Sequence, residues 1–194
     1  MNSFTATFLL SPLSYIIIAS TWYLTFLFFK MNRTEQEQFI LHPYSVARSR
    51  NIKSLFTSMM IHANWEHFFF NMFSFYFFAP YVEQIIGTAS FFSLYLLSGV
   101  AGSFALVIKY KNKPYYTALG ASGAVSGVVY AFIVLKPMAP LGILFIPFHI
   151  PAFAFGIIYL IGSFYLSKKQ GDHIAHEAHI GGALFGALYM VGTL

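Results

Sequence analysis

A serine and a histidine open two separate apolar stretches. Ser122 lies in Gly120-Ala121-Ser122-Gly123, and His179 in Ala178-His179-Ile180-Gly181-Gly182. A serine hydroxyl is a weak nucleophile until an adjacent base takes its proton, and imidazole titrates where that transfer is easiest near neutral pH. His67 and Asn71 lie near the start of a third apolar stretch. Four residues apart, they share one face of a helix. Polar groups inside membrane-length segments are costly and usually functional.

The composition indicates what holds these residues. Of 194 residues, 58% are hydrophobic and only 9% are charged, with 24 Phe and 13 Tyr among them. Soluble domains carry roughly a quarter charged residues. So apolar a chain reads as an integral membrane protein, and one domain over 1–194 accounts for its length. Cysteine is absent, which excludes disulfides and thiolate metal sites. The net charge of +5 is small and its basic residues are scattered among loops. That argues against a nucleic-acid partner and fits residues flanking a lipid bilayer.

Charge, Pro and Gly divide the chain into six apolar segments, at about 8–29, 66–84, 89–109, 121–136, 149–167 and 177–193. The first lacks a charged leader and a cleavage site, so it reads as a retained helix and not a signal peptide. Backbone groups in hydrocarbon must be satisfied within their own segment, which makes the spans helical. The expected fold is all-α: a polytopic bundle of six transmembrane helices. Its long first loop, 30–65, is half apolar and expected to be partly embedded. Leu141 to Pro151, broken by Pro147 and Pro151, reads as a bent approach to the fifth span.

Successive spans alternate in direction, so the second, fourth and sixth start on one side. His67, Asn71, Ser122 and His179 then share one leaflet. The fourth span rises only ~25 Å at ~1.5 Å per residue, against a hydrocarbon core ~30 Å thick. Its serine end should be recessed and reached by a water-filled well. Gly123 with Gly127, and Gly182 with Gly186, form small-xxx-small pairs that allow these two helices to approach closely.

The chain resembles the rhomboid family of intramembrane serine proteases over about 39–192. The matching pieces are His62-Ala63-Asn64-Trp65-Glu66-His67-Phe68-Phe69-Phe70-Asn71, Val82-Glu83 with Gly87, Gly120-Ala121-Ser122-Gly123, and Ala178-His179-Ile180-Gly181-Gly182 with Gly186. The resemblance implies a Ser122–His179 dyad that needs no acidic third member, no cofactor and no metal. It implies an oxyanion hole from His67, Asn71 and the Ser122 backbone N–H. It also implies transmembrane protein substrates, a bacterial cytoplasmic membrane, and a substrate gate near Phe145 and Phe148.

Departures leave alternatives open. Bacterial members often place a tyrosine on the catalytic histidine one turn after the nucleophile, and here that position is Ser126. Ser126 with Tyr130 therefore competes with Ser122, although Ala124 stands where the motif has glycine. His62, His67, His176 and His179 could in principle hold zinc, but no carboxylate is placed as a base. A catalytically silent relative that binds membrane clients is the second functional reading, and a small transporter the third. Orientation is also open. The first loop carries five Lys/Arg on the side that also receives Lys109, Lys111, Lys113, Lys168 and Lys169. The positive-inside rule puts that side in the cytoplasm, against the family's usual bacterial topology.

Overall fold

The computed structural model describes residues 9–142, 149–169 and 174–194; Phe145 and Phe148 lie outside the described residues. Helix α1 (Pro12–Lys30) is followed by three short helices in the first loop, α2 (Arg33–Glu37), α3 (Pro43–Val46) and α4 (Ser54–Thr57), and a 3-10 turn at Ser58–Met60. Then come α5 (Trp65–Ile86), α6 (Thr88–Tyr110), α7 (Ser122–Leu135), strands β1 (Pro140–Gly142) and β2 (His149–Pro151), α8 (Ala152–Lys169) and α9 (His176–Thr193). The six long helices coincide with the six apolar segments to within a few residues.

Two of them, α1 and α6, are long and apolar enough to cross a bilayer by length and composition. The others are shorter or more polar. Helix α7 has 14 residues, α8 ends on Lys168 and Lys169, and α5 and α9 open on the polar residues of the candidate site.

The core is drawn mainly from α5, α6 and α7, with Phe75, Phe91, Leu94 and Val128 fully buried. The outward faces are also apolar. Phe69, Phe73 and Phe77 of α5, Ile157, Ile161 and Phe164 of α8, and Leu188 and Val191 of α9 are all exposed. Exposed apolar surface on this scale needs a nonaqueous neighbour, and a bilayer supplies one.

One buried carboxylate ties three helices at the end remote from the serine. Glu83 accepts the backbone N–H groups of Leu13 and Ser14 at 3.0 and 2.7 Å, the Ser14 hydroxyl at 2.7 Å and the Thr88 hydroxyl at 3.0 Å. It thus satisfies two backbone N–H groups at the start of α1 that no intrahelical carbonyl reaches, and holds the first side chain of α6. Gly87, the sole residue between α5 and α6, has φ +78°, which suits glycine.

The region before α8 differs from the expected bend. Residues 140–142 and 149–151 pair as an antiparallel ribbon, Pro140 with Pro151 and Gly142 with His149. The two prolines face each other in the terminal pair, where a missing N–H costs the ladder least. In the sequence Pro151 reads only as a break; Pro147, the other break, lies outside the described residues. Ala152 N–H to Ala139 O and Phe153 N–H to Pro137 O, both 2.9 Å, anchor the start of α8.

Helices α7 and α9 meet backbone to backbone. A Cβ built on Gly182 would fall 1.9 Å from the Gly123 carbonyl oxygen, and one on Gly186 2.1 Å from that of Gly127. Both pairs keep the same sequence offset, so the helices run parallel. Helix α6 closes the junction: Gly102 lies against Gly123 and the Ala178 carbonyl, and Ser98 against Gly127. Gly182→Ala should therefore destabilise the protein by about 1–3 kcal/mol, as other overpacking substitutions do. Gly192→Ala, with nothing within 4 Å of its added carbon, should be neutral or stabilising by up to ~1 kcal/mol. Thermal unfolding in detergent compares them; equal midpoints would contradict the close contact.

Candidate functional site

Ser122 is the first residue of α7, and the segment leading to it is fastened from the first loop. Ala118 and Leu41 exchange backbone hydrogen bonds at 3.0 and 3.1 Å, and Gly120 N–H donates to Ser58 O at 2.9 Å. Gly120 has φ +129°, and a Cβ there would lie 2.4 Å from His67 Cε1. Only glycine suits that backbone and lets the His67 ring approach. As the first helical residue, Ser122 carries one of the backbone N–H groups that a helix start leaves without an intrahelical acceptor.

His62 supplies the next fastening. It is fully buried, and its Nε2 faces the Ala121 N–H at 3.4 Å while Nδ1 faces the Thr25 hydroxyl at 3.5 Å. A backbone N–H can only donate, so Nε2 accepts and the proton sits on Nδ1. Burial, with the nearby His67 adding to it, pushes the His62 pKa down to about 3. His62 therefore acts as a neutral strut between α1 and the residue before Ser122.

His67 and Asn71 stand in the first two turns of α5. Asn64 caps that helix, its side-chain oxygen accepting the His67 N–H at 2.8 Å. The Asn71 side-chain amide donates to the His67 carbonyl at 2.8 Å. That uses one of its two N–H groups and leaves the second for another acceptor.

His179 lies in the first turn of α9, its ring 6.2 Å from and nearly parallel to that of Tyr159, and 6.0 Å from that of His176. Ser126, the competing serine, is buried, and its hydroxyl is 3.1 Å from the Tyr159 hydroxyl. Beside this centre Lys109 donates to the Ser167 carbonyl at 2.7 Å and pairs with Glu177, while Tyr110 donates to the other Glu177 oxygen at 3.3 Å. This clasp joins the ends of α6 and α8 to the start of α9.

Ser122, His179, His67 and Asn71 all line one cavity of about 1100 Å³. It is framed by α5, α7, α8, α9 and the segment 115–119. Among the described residues no three His, Cys, Asp or Glu side chains converge as a metal-holding group. Nothing in the sequence distinguishes Tyr159, or pairs Lys109 with Glu177. Their partners are distant in sequence, and in a chain with 13 Tyr no pattern distinguishes one tyrosine. His62 stood out in the sequence as the start of the first matching motif, but its strut role was not readable there, because its partners Thr25 and Ala121 are distant along the chain.

Comparison with known proteins agrees with this architecture. The Rhomboid domain family model matches residues 49–194, and the chain belongs to the rhomboid family. It is therefore an integral, polytopic membrane protein. It is 30% identical over 181 residues to RHOMBOID-like protein 12, mitochondrial, of Arabidopsis thaliana, covering 82% of this chain and 53% of that protein. It is 39% identical over 84 residues to YdcA of Bacillus subtilis, named as a candidate rhomboid protease, covering 42% of this chain and 41% of the relative. The human presenilin-associated rhomboid-like protein, mitochondrial, is 30% identical over 135 residues, 69% of this chain and 36% of its own length. The chain thus matches about half or less of the length of these relatives.

The His62 strut makes stability depend on pH. Its folded pKa of about 3 lies below the ordinary 6.5, so the unfolded chain binds the extra proton between those values. Stability contributed by neutral His62 is complete above pH 6.5 and is lost as pH falls from 6.5 towards 3, by at most ~1.4 kcal/mol per unit. Thermal midpoints between pH 7 and 4 should fall more steeply for wild type than for His62→Gln, which cannot protonate. Parallel curves would contradict the assignment.

Proposed function

We propose that this chain is an intramembrane serine endopeptidase that cleaves transmembrane segments of other membrane proteins. In this reading all six long helices cross the bilayer, and 1–194 acts as one domain. Ser122 is the nucleophile and His179 its general base. His67, Asn71 and the Ser122 N–H form the oxyanion hole. The observation that carries the reading is the arrival of these four side chains, from three helices, in one cavity large enough for a peptide.

The chemistry follows from the groups. His179 takes the Ser122 proton as the oxygen attacks the scissile carbonyl carbon. Charge develops on the carbonyl oxygen, where preorganised donors are worth ~3–4 kcal/mol each. The C–N bond breaks as His179 returns the proton to the leaving amine. Water then attacks the acyl-serine, giving a proton to His179; the ester C–O bond breaks as His179 passes that proton to the Ser122 oxygen, and the carboxylic product leaves. A stable helix hides its carbonyls in hydrogen bonds, so substrates with poor helix formers near the cut should be preferred.

Ser126 is the weaker candidate because its hydroxyl is engaged by Tyr159 and it lies one turn deeper in α7. Phe70, Ser74 and Phe78 of α5 face the cavity opposite Phe155 and Tyr159 of α8. The space between these helices is the proposed entrance for a membrane-embedded substrate, with Phe145 and Phe148 as gate residues on family likeness. The bacterial cytoplasmic membrane is the proposed location, supported by the Bacillus relative; the mitochondrial relatives make an organellar membrane the alternative.

Purified wild-type protein should cleave a transmembrane substrate in detergent. Ser122→Ala should lower the rate by at least about a thousandfold, while Ser126→Ala stays within about tenfold. Full cleavage by Ser122→Ala would remove the assignment. A wild type that captures membrane clients without cutting them would establish the second reading, a catalytically silent binding relative.

A further inference from the structure

We propose that Tyr159 is the positioning residue of the catalytic base: its ring orients the His179 imidazole, and its hydroxyl is held in place by Ser126. The proposal rests on the Ser122–His179 reading and deepens it by assigning control of the base to α8.

A histidine in the first turn of a helix must have its ring rotation fixed before its nitrogen can meet a serine hydroxyl. The Tyr159 and His179 rings lie nearly parallel, at 18°, with centroids 6.2 Å apart. Such a stacked contact limits rotation of the imidazole. Tyr159 is itself located by two tethers between α7 and α8. Ser126 Oγ meets its hydroxyl at 3.1 Å, and the Tyr130 hydroxyl donates to the Gly156 carbonyl at 2.5 Å. Ser126 and Tyr130 are four apart on one face of α7, and Gly156 and Tyr159 three apart on one face of α8.

The small residue at 126 gains its meaning here. Its hydroxymethyl group grips a tyrosine that meets the His179 ring from α8. The base is therefore oriented by a helix that also frames the cavity entrance. Any displacement of α8 takes the imidazole's support with it.

The test compares wild type with Tyr159→Phe, Tyr159→Leu and Tyr159→Met, reading kcat and KM on a transmembrane substrate and the acylation rate with a fluorophosphonate. Without the ring, in Tyr159→Leu and Tyr159→Met, kcat and acylation should fall about tenfold to a hundredfold, as expected for a misplaced catalytic group. KM should stay within about threefold, and Tyr159→Phe, which keeps the ring but loses the Ser126 tether, should show a smaller loss of about threefold to tenfold in both rates. If Tyr159→Leu fails to fold, Tyr159→Met carries the comparison. Unchanged rates without the ring would overturn the proposal. So would a loss in Tyr159→Phe equal to that in Tyr159→Leu, or an effect confined to KM. A wild type that neither cleaves nor labels would instead strike the protease reading itself.

Discussion

Backbone contact between α7 and α9 is the constraint on which the site depends. Gly123 against Gly182 and Gly127 against Gly186 leave no room for a side chain, so the two helices run parallel in a fixed register. That register sets His179 level with Gly120, two residues ahead of Ser122. Among apolar surroundings, burial of hydrophobic area cannot drive helices together, because lipid is as apolar as leucine. Close packing of small residues is what remains, and here it joins the two helices that carry the proposed nucleophile and base.

Polar contacts then locate what the glycines leave undetermined. The first loop holds the approach to Ser122 through Leu41, Ser58 and His62. At the far end Glu83 satisfies donors of α1 and α6 at once. The clasp of Lys109 with Ser167 and Glu177 ties α8 to α9 on the site's side. Among the described residues, α7 and α8 are joined by two hydroxyl contacts, Ser126 to Tyr159 and Tyr130 to Gly156. The result is a wall formed by α6, α7 and α9, with α8 attached to it by a small apolar cluster around Tyr130, Ile133, Ala152 and Ala183 and by a few directional bonds. Such bonds can break and re-form singly, whereas interlocked glycine backbones cannot separate in part.

Much of this was legible in the sequence because membrane helices announce themselves by length and apolarity. The short motifs around Ser122 and His179 were legible because each keeps its glycines within a few residues of the reactive side chain. The small-xxx-small spacing showed which faces could come close. What stayed hidden depends on neighbours far apart along the chain. Tyr159 meets Ser126 and His179 across helices, and Lys109 meets Glu177 across the bundle. Pro151 marked a break before α8, but nothing local signalled that 140–142 pairs with 149–151, since strand pairing is set by a partner segment and not by local preference. The substitution of Ser126 for the expected tyrosine looked like a defect in the motif. The contact with Tyr159 gives it a structural use.

In the proposed mechanism Ser122 reacts because His179 activates it. Mass-spectrometric mapping of the adduct left by a fluorophosphonate tests this most directly. Wild-type protein should give one modified peptide, with the adduct on Ser122, and His179→Ala should give none. An adduct on Ser126, or undiminished labelling of His179→Ala, would contradict it.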